Sequence, residues 1–389
     1  MFYAVALTFV VTMLGTTLPT PLYPGYQQVF GVSELMITVI YAVYAAGVIG
    51  SAIVTGRLSD QYGRRPLLLT GLTCSAASAV CFLLADNVAM LLLARVLSGA
   101  SAGIFTSTAT IAVIELAPDR YKSNATLAAT VANMGGLGLG TLIAGVFAEF
   151  LPWPLRLVYV FDLCLVAAAF VVIIRAPETA PRPAQPGFAI QVPRIPAATR
   201  PVFVPAAIVG FAGFAVLGLF AALAPAFIKD ILLIDRPTVV GSIVFVLFLA
   251  STVGQLGQAR LREDLRLPVG CILLIIGMAL VALGLGLASP GWLTAGAMVS
   301  GLGQGGSFRA AMGSVTAASP MDQRSEVASS FFIVVYVAIS IPVIGLGFLA
   351  NALGLVVGGV IFTSIIAALA AIALVWLIAR QCLAVDGAT

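Results

Sequence analysis

The stretch Ser98-Gly99-Ala100-Ser101-Ala102-Gly103 returns as Ser300-Gly301-Leu302-Gly303-Gln304-Gly305, displaced by 202 positions. The same displacement carries Arg64 and Pro66 onto Arg266 and Pro268, Pro118 onto Pro320, Lys122-Ser123 onto Arg324-Ser325, and Gly145 onto Gly347. Separate blocks in one ungapped register mark an internal duplication. Between the copies lies a segment with prolines at 177, 181, 183, 186, 193, 196 and 201, a composition that favours an extended linker over a domain. The expected organisation is an N-terminal unit over 1–176, a linker over 177–201 and a C-terminal unit over 202–389.

Of the 389 residues, 61% are hydrophobic and 9% are charged. A soluble domain carries about 25% charged residues to clothe its surface for water, so this surface must face lipid. Aqueous enzymes and nucleic-acid readers are excluded on that ground. The net charge of +4 is small and its basic residues are scattered, which points to no polyanion partner. The chain has no histidine, which rules out histidine-ligated metals, serine–histidine catalysis and histidine proton relays. Its five cysteines, Cys74, Cys81, Cys164, Cys271 and Cys382, form no CxxC pair and read as inert thiols in apolar runs. No metal and no cofactor are expected. No glycine-rich phosphate loop with a lysine is present, so any driving force is expected to be an ion gradient rather than ATP.

A membrane helix needs about 20 apolar residues. Runs of that kind predict an all-α integral membrane protein of twelve helices, near 2–20, 34–55, 66–86, 88–115, 123–149, 155–175, 202–228, 237–259, 267–288, 292–318, 325–350 and 354–379. The first run lacks a basic start and a cleavage site, so it reads as a retained helix rather than a signal peptide. Because the chain opens almost inside it, a short tail is expected ahead of it. With both termini in the cytoplasm, the cytoplasmic segments hold fourteen Arg and Lys residues and the opposite side three, Arg156, Lys229 and Arg236. That asymmetry sets the orientation. Arg95 and Arg309 lie within predicted helices. Parallel six-helix halves place a substrate path along the pseudo-twofold axis between them, which is the physical ground for expecting transport.

Between the second and third helices stands Gly56-Arg57-Leu58-Ser59-Asp60-Gln61-Tyr62-Gly63-Arg64-Arg65-Pro66. Glycines keep a two-helix turn tight, and Asp60 and Arg64 can pair or cap neighbouring helix ends. This stretch resembles the signature loop of the major facilitator superfamily. With twelve helices and a central linker, the resemblance covers the whole chain and extends to the 12-helix drug:proton antiporter type. It implies a cytoplasmic gate latch at Gly56, Asp60, Gly63, Arg64 and Arg65. A plain positive-inside turn is compatible with the same residues. In the second copy Gln258 replaces Gly56 and Arg262 replaces Asp60, so only the first loop can make the full latch.

In the fourth helix, Arg95-Val96-Leu97-Ser98-Gly99 resembles the family's RxxxG motif, whose arginine is implicated in proton coupling. Arg95 lies roughly 10 Å deep at about 1.5 Å per residue, and an ionised side chain there is costly unless it has a function or snorkels. The fifth helix reads Gly136-Leu137-Gly138-Leu139-Gly140-Thr141-Leu142-Ile143-Ala144-Gly145. It resembles the exporters' glycine-lined interface motif through Gly136, Gly140 and Gly145, with Thr141 in place of a proline; small-residue packing alone explains the same spacing. Pro342, in the eleventh helix, matches Gly140 and is expected to bend the chain there.

Asp162, in the sixth helix, is the one carboxylate well inside a predicted span, at about the depth of Arg95. Burial and a neighbouring cation pull a carboxyl group's proton equilibrium in opposite directions, so such a group either shuttles protons or forms a fixed structural pair. Glu115 and Glu34, at helix ends, are weaker candidates for coupling. The first helix has no acid, whereas several family exporters of cationic drugs carry one there, so the resemblance favours neutral or anionic amphipathic substrates. By family analogy the cavity is lined by Thr12, Thr16, Tyr41, Tyr44, Thr106, Asn133, Phe220, Gln255, Gln304, Arg309 and Tyr336. The resulting expectation is a monomeric proton-coupled exporter of small amphipathic molecules in a cell inner membrane. The alternative is a proton-coupled or facilitative importer of a small metabolite such as a sugar or organic anion. A membrane enzyme would need a catalytic cluster, and none is legible.

Overall fold

The computed structural model describes residues 1–55, 58–180, 194–321 and 323–386, without the side chains of Asp60, Ser123, Ser325 and residues 381–386. The principal helices of the first copy are α1 (Phe2–Thr17), α2 (Glu34–Thr55), α3 (Arg64–Leu83), α4 (Val88–Glu115), α5 (Lys122–Phe150) and α6 (Leu157–Arg175). Those of the second are α7 (Arg200–Ala222), α8 (Pro237–Gly257), α9 (Glu263–Gly286), α10 (Pro290–Ala317), α11 (Arg324–Ala338, continued by Ile341–Leu353) and α12 (Leu355–Asp386). No strand occurs among the described residues.

Among the described residues, eleven spans are long and apolar enough to cross a bilayer, so the chain is a multi-pass membrane protein. α10 is not among the eleven although it is 28 residues long. Gly301, Gly303, Gln304, Gly305, Gly306 and Arg309 make it less apolar than its neighbours, and it completes the expected twelve.

Proline placement explains where the helices begin and break. Pro201, Pro237 and Pro290 occupy the opening turns of α7, α8 and α10, where a missing N–H costs nothing. The first predicted run does not continue to residue 20. α1 ends at Thr17, Pro19 precedes a short 3-10 turn (Thr20–Leu22), and a further helix, Tyr23–Phe30, follows. The run predicted over 202–228 likewise divides into α7 and a short helix, Ala224–Asp230, with Pro225 in the first turn of the latter. α11 is interrupted at Ile339-Ser340, ahead of Pro342.

The chain forms two compact units, Met1–Val192 with Arg236–Phe245, and Pro193–Asp235 with Val246–Thr389. The expected linker lies largely outside the described residues, at 181–193. In the first unit α4 packs on α2, α3 and α1, α1 packs on α5 and α6, and α3 packs on α6. In the second, α10 packs on α9 and α7, α7 on α11 and α12, and α9 on α12. The second set repeats five of the first six pairings with each helix advanced by six, so the duplication is carried into the packing.

The repeated glycine block is a seam in both units. A methyl group on Gly99 would collide with the Tyr44 carbonyl of α2, and one on Gly301 would press on the Leu247 carbonyl of α8. Gly305 lies equally tight against the Ser251 carbonyl. Backbones approach this closely only where no side chain intervenes, and in lipid that close packing is a main source of helix association.

Candidate functional site

The centre of the first unit holds a buried cation with no ion-pair partner among the described residues. Asn87 starts α4 by accepting the Met90 N–H at 3.0 Å, and two turns later comes Arg95, 1% exposed. Its Nη1 donates to the Thr16 carbonyl at 2.8 Å and its Nη2 to the Tyr23 hydroxyl. The guanidinium carbon lies 5.4 Å from the centre of the Tyr23 ring, 5.9 Å from Tyr41 and Phe82, and 6.0 Å from Tyr44. A carbonyl dipole, a hydroxyl and aromatic faces therefore stabilise the charge. Its Nε has no hydrogen-bond partner.

Tyr23 reaches this site because the chain turns after Thr17 into the helix Tyr23–Phe30. One turn along, the Tyr26 hydroxyl meets that of Tyr159 on α6 at 2.9 Å. Phe82 stacks on Tyr159 with ring centres 5.0 Å apart. Asp162 follows Tyr159 by one turn, so both project from the same face of α6.

Asp162 is 2% exposed. Its Oδ1 has no hydrogen-bond partner, and it forms no ion pair with Arg95. The two groups instead flank consecutive residues of α1. Asp162 lies against Gly15, where an added Cβ would stand 3.0 Å from Oδ2, and Arg95 holds the carbonyl of Thr16. Asp162 also faces a narrow pocket lined by Ser75, Ser78, Ser98, Ser101 and Tyr159.

The turn between α2 and α3 forms a second polar cluster. Gly56 lies outside the described residues, as does the side chain of Asp60. Gly63 takes φ +103° and lies against the Glu178 carboxylate. Glu178 accepts the N–H groups of Arg64 at 2.7 Å and Arg65 at 3.1 Å, and those of Thr179 and Ala180. It thus caps α3, whose first N–H groups have no partner within the helix. Burial pushes the Glu178 carboxyl up, but these four donors outweigh it and hold the group below the usual carboxylate range. The Arg64 side chain donates to Ser59 at 2.7 Å and pairs with Glu115 at 3.2 Å. Thr179 also donates to Glu115, at 2.6 Å. Glu34 accepts from Gln27 at 2.7 Å.

On α5, Gly136 and Gly140 allow close contact with α1, at the Val10 and Leu14 carbonyls. Gly145 lies against Pro237, and the Thr141 hydroxyl donates to the Gly138 and Gly241 carbonyls at 2.8 and 3.1 Å. Residues 236–245 belong to the same compact unit.

Of the expected cavity residues, Thr16, Tyr41 and Tyr44 gather around Arg95. Thr12 is buried and donates to the Thr8 carbonyl at 3.0 Å, while Thr106 and Asn133 are half-buried. In the second unit Gln304 is fully buried and accepts from Ser251 at 2.6 Å, and its Nε2 and that of Gln255 have no partner. Phe220 joins an apolar pocket with Phe227 and Leu285, Tyr336 stacks on Phe332 at 6.4 Å, and Arg309 is half-buried. Sequence reading overlooked Tyr23, Tyr26, Tyr159 and Glu178; the i,i+3 spacing of Tyr159 and Asp162 was the available signal.

Comparison with known proteins places this architecture. The multidrug transporter MdfA of Edwardsiella ictaluri (strain 93-146) is 31% identical over 173 residues, 44% of this chain and 42% of that protein. The lincomycin resistance protein of Streptomyces lincolnensis is 28% identical over 151 residues, 39% of this chain and 31% of that protein. The chain thus matches less than half the length of these relatives. A bacterial homologue of the human lysosomal transporter Spinster has the same fold, with a TM-score of 0.74 at 13% identity, covering 98% of this chain and 96% of that one. The model of the Major Facilitator Superfamily matches residues 5–341. With its duplicated helix packing and that match over most of its length, the chain belongs to the major facilitator superfamily.

Proposed function

We propose that this chain is a secondary active transporter that exports small amphipathic molecules by proton antiport with alternating access. The observation that carries the reading is Asp162, a buried carboxylate with no ion-pair partner among the described residues, lying against Gly15 while a buried arginine holds the carbonyl of the next residue, Thr16. A carboxyl group locked to an arginine keeps one charge state. One without a fixed counter-ion can change its charge as its surroundings alternate between water and protein. Arg95, held by dipoles and aromatic rings rather than by an acid, supplies a positive field that need not move.

Asp162 is the proton carrier in this reading and Arg95 the group that tunes it. Glu115 and Glu34, each already hydrogen-bonded, take a secondary place. The turn holding Asp60, Gly63, Arg64 and Arg65 acts as the cytoplasmic gate, with Gly136, Gly140, Thr141 and Gly145 as the interface face of α5. Thr12, Thr16, Tyr41, Tyr44, Thr106 and Asn133 in the first unit, and Phe220, Gln255, Gln304, Arg309 and Tyr336 in the second, contribute to substrate binding. Export rather than uptake is supported by relatives named for multidrug transport and drug resistance. The positive-inside asymmetry supports both termini in the cytoplasm of an inner-membrane monomer, with bundles over 1–176 and 202–389 joined by 177–201.

The test is movement of neutral and anionic lipophilic drugs in purified proteoliposomes under an imposed pH gradient. Substrate moving opposite to the proton flux in wild type, and not in Asp162→Asn, supports the reading. Equal transport with and without the gradient contradicts it.

A further inference from the structure

We propose that the pocket at Asp162 is a binding site for a small alkali cation, sodium or lithium, which takes the place of the proton on the carboxylate. Three helices each present two polar side chains to this pocket at i,i+3 spacing, which puts each pair on one helix face. They are Ser75 and Ser78 on α3, Ser98 and Ser101 on α4, and Tyr159 and Asp162 on α6.

Several of their oxygens are left without partners. Ser98 Oγ, Ser101 Oγ and Asp162 Oδ1 are buried and make no hydrogen bond, and their residues are 3%, 1% and 2% exposed. A buried serine in a helix ordinarily donates to a carbonyl one turn back, as Thr12 and Thr16 do. For Ser98 that carbonyl belongs to Ala94, which already accepts from Ser78 across the helix contact at 2.8 Å. Three unpartnered oxygens on residues lining one buried pocket are costly, and such groups call for an ion or other ligand to account for them.

The chemistry of the donors selects the ion. One carboxylate among neutral hydroxyls carries a single negative charge, which matches a monovalent cation. Calcium sites take six to eight oxygens, commonly from several carboxylates, and softer metals prefer sulfur or imidazole, neither of which lines this pocket. The pocket is narrow and closely lined, which favours the smaller alkali ions over potassium. Of the charged and titratable groups nearby, Tyr159 on α6 lines the pocket with Asp162, while Arg95 on α4, with Tyr23, Tyr41 and Tyr44 about it, lies at Thr16, and Tyr26 is bonded to Tyr159. None of them pairs with the carboxylate, so a cation and a proton compete for it directly.

This inference extends the coupling role given to Asp162, but its test reads binding alone, so the two fail separately. Thermal unfolding of the purified protein is measured in sodium, lithium, potassium and choline chloride at equal ionic strength, with radioactive sodium binding alongside. A ligand that binds only the folded state raises the unfolding midpoint with its concentration. Wild type is expected to be stabilised by sodium or lithium over potassium and choline, with apparent affinity falling as pH is lowered. Asp162→Asn is expected to lose the selective shift. Ser98→Ala with Ser101→Ala, which keeps the charge, is expected to weaken sodium binding by about tenfold or more. Identical midpoints in all four salts with no bound sodium, or full sodium selectivity in Asp162→Asn, would overturn the proposal. Proton-driven transport without sodium binding leaves the export reading standing and removes this one; sodium binding without drug transport does the reverse.

Discussion

The two units share a helix framework but differ at their centres. At the positions 202 residues beyond Arg95, Thr16, Tyr23 and Phe82 stand Ala297, Gly218, Pro225 and Gly284, and the position matching Asp162 is Ser364. Ala297 is fully buried and Ser364 is exposed. Among the described residues, the second unit therefore builds a similar packing with no charge at its core, and it acts as an internal control for the first. The glycine seam recurs because the framework needs it. The arginine, the tyrosines and the acid do not recur, so the framework does not need them, and a charge kept inside a membrane protein at a cost points to function.

The turns teach the same lesson. In the first unit Arg64 is buried, with its side chain 9% exposed, and it links Ser59 to Glu115. In the second, Arg266 reaches Glu263 at 3.6 Å, where the glutamate side chain is 90% exposed, and Arg262 pairs with Asp264 at 3.1 Å, again in solvent. Exposed pairs of this kind contribute little. The first turn also has Glu178, brought from beyond α6 to cap the following helix.

The largest effect that separates the units is expected in transport. Arg95→Ala and Asp162→Asn should each reduce gradient-driven transport to that of empty liposomes, while Ala297→Ser and Ser364→Ala should stay within about twofold of wild type, since neither counterpart holds a charge. Loss of coupling in the second-unit variants would end the comparison. Next come the seams, where the units should behave alike. Gly99→Leu and Gly301→Leu are each expected to destabilise by about 3 kcal/mol or more through overpacking, read as lowered unfolding midpoints in detergent.

A smaller difference is expected at the turns. Glu178→Gln should cost about 1 kcal/mol as a lost helix cap, discounted for its partial exposure, whereas Glu263→Gln should have no measurable effect. The Glu178 carboxyl is held below its unfolded value, so its contribution is present above about pH 4.3. It is lost as pH falls through the lower folded value. An unfolding series across that acid range should therefore show a step in wild type that is missing in Glu178→Gln. The smallest measurable effect belongs to Thr141→Val, which removes the hydrogen bond to the Gly241 carbonyl and should cost about 0.5 kcal/mol in the same unfolding assay.

Much of the framework was legible because lipid imposes a length and an apolar composition on each span, and a duplication repeats its small residues in register. Arg95 and Asp162 stood out because charges inside apolar runs are rare. Their relation did not follow, because similar depth says nothing about helix rotation, and α1 places Gly15 and Thr16 between them. Tyr23 and Tyr26 escaped notice because the break after Thr17 folds back a segment that had no predicted place in the core. Glu178 lay inside a segment read as linker, and only the close return of the chain to Gly63 reveals it as a cap.

The central claim is that Asp162 gives up a proton when substrate binds. The direct measurement is proton release from concentrated, weakly buffered protein on addition of a drug that wild type transports. Wild type should release protons and Asp162→Asn should bind the drug without releasing any. Equal release from both would contradict the account and move the coupling group elsewhere in the chain.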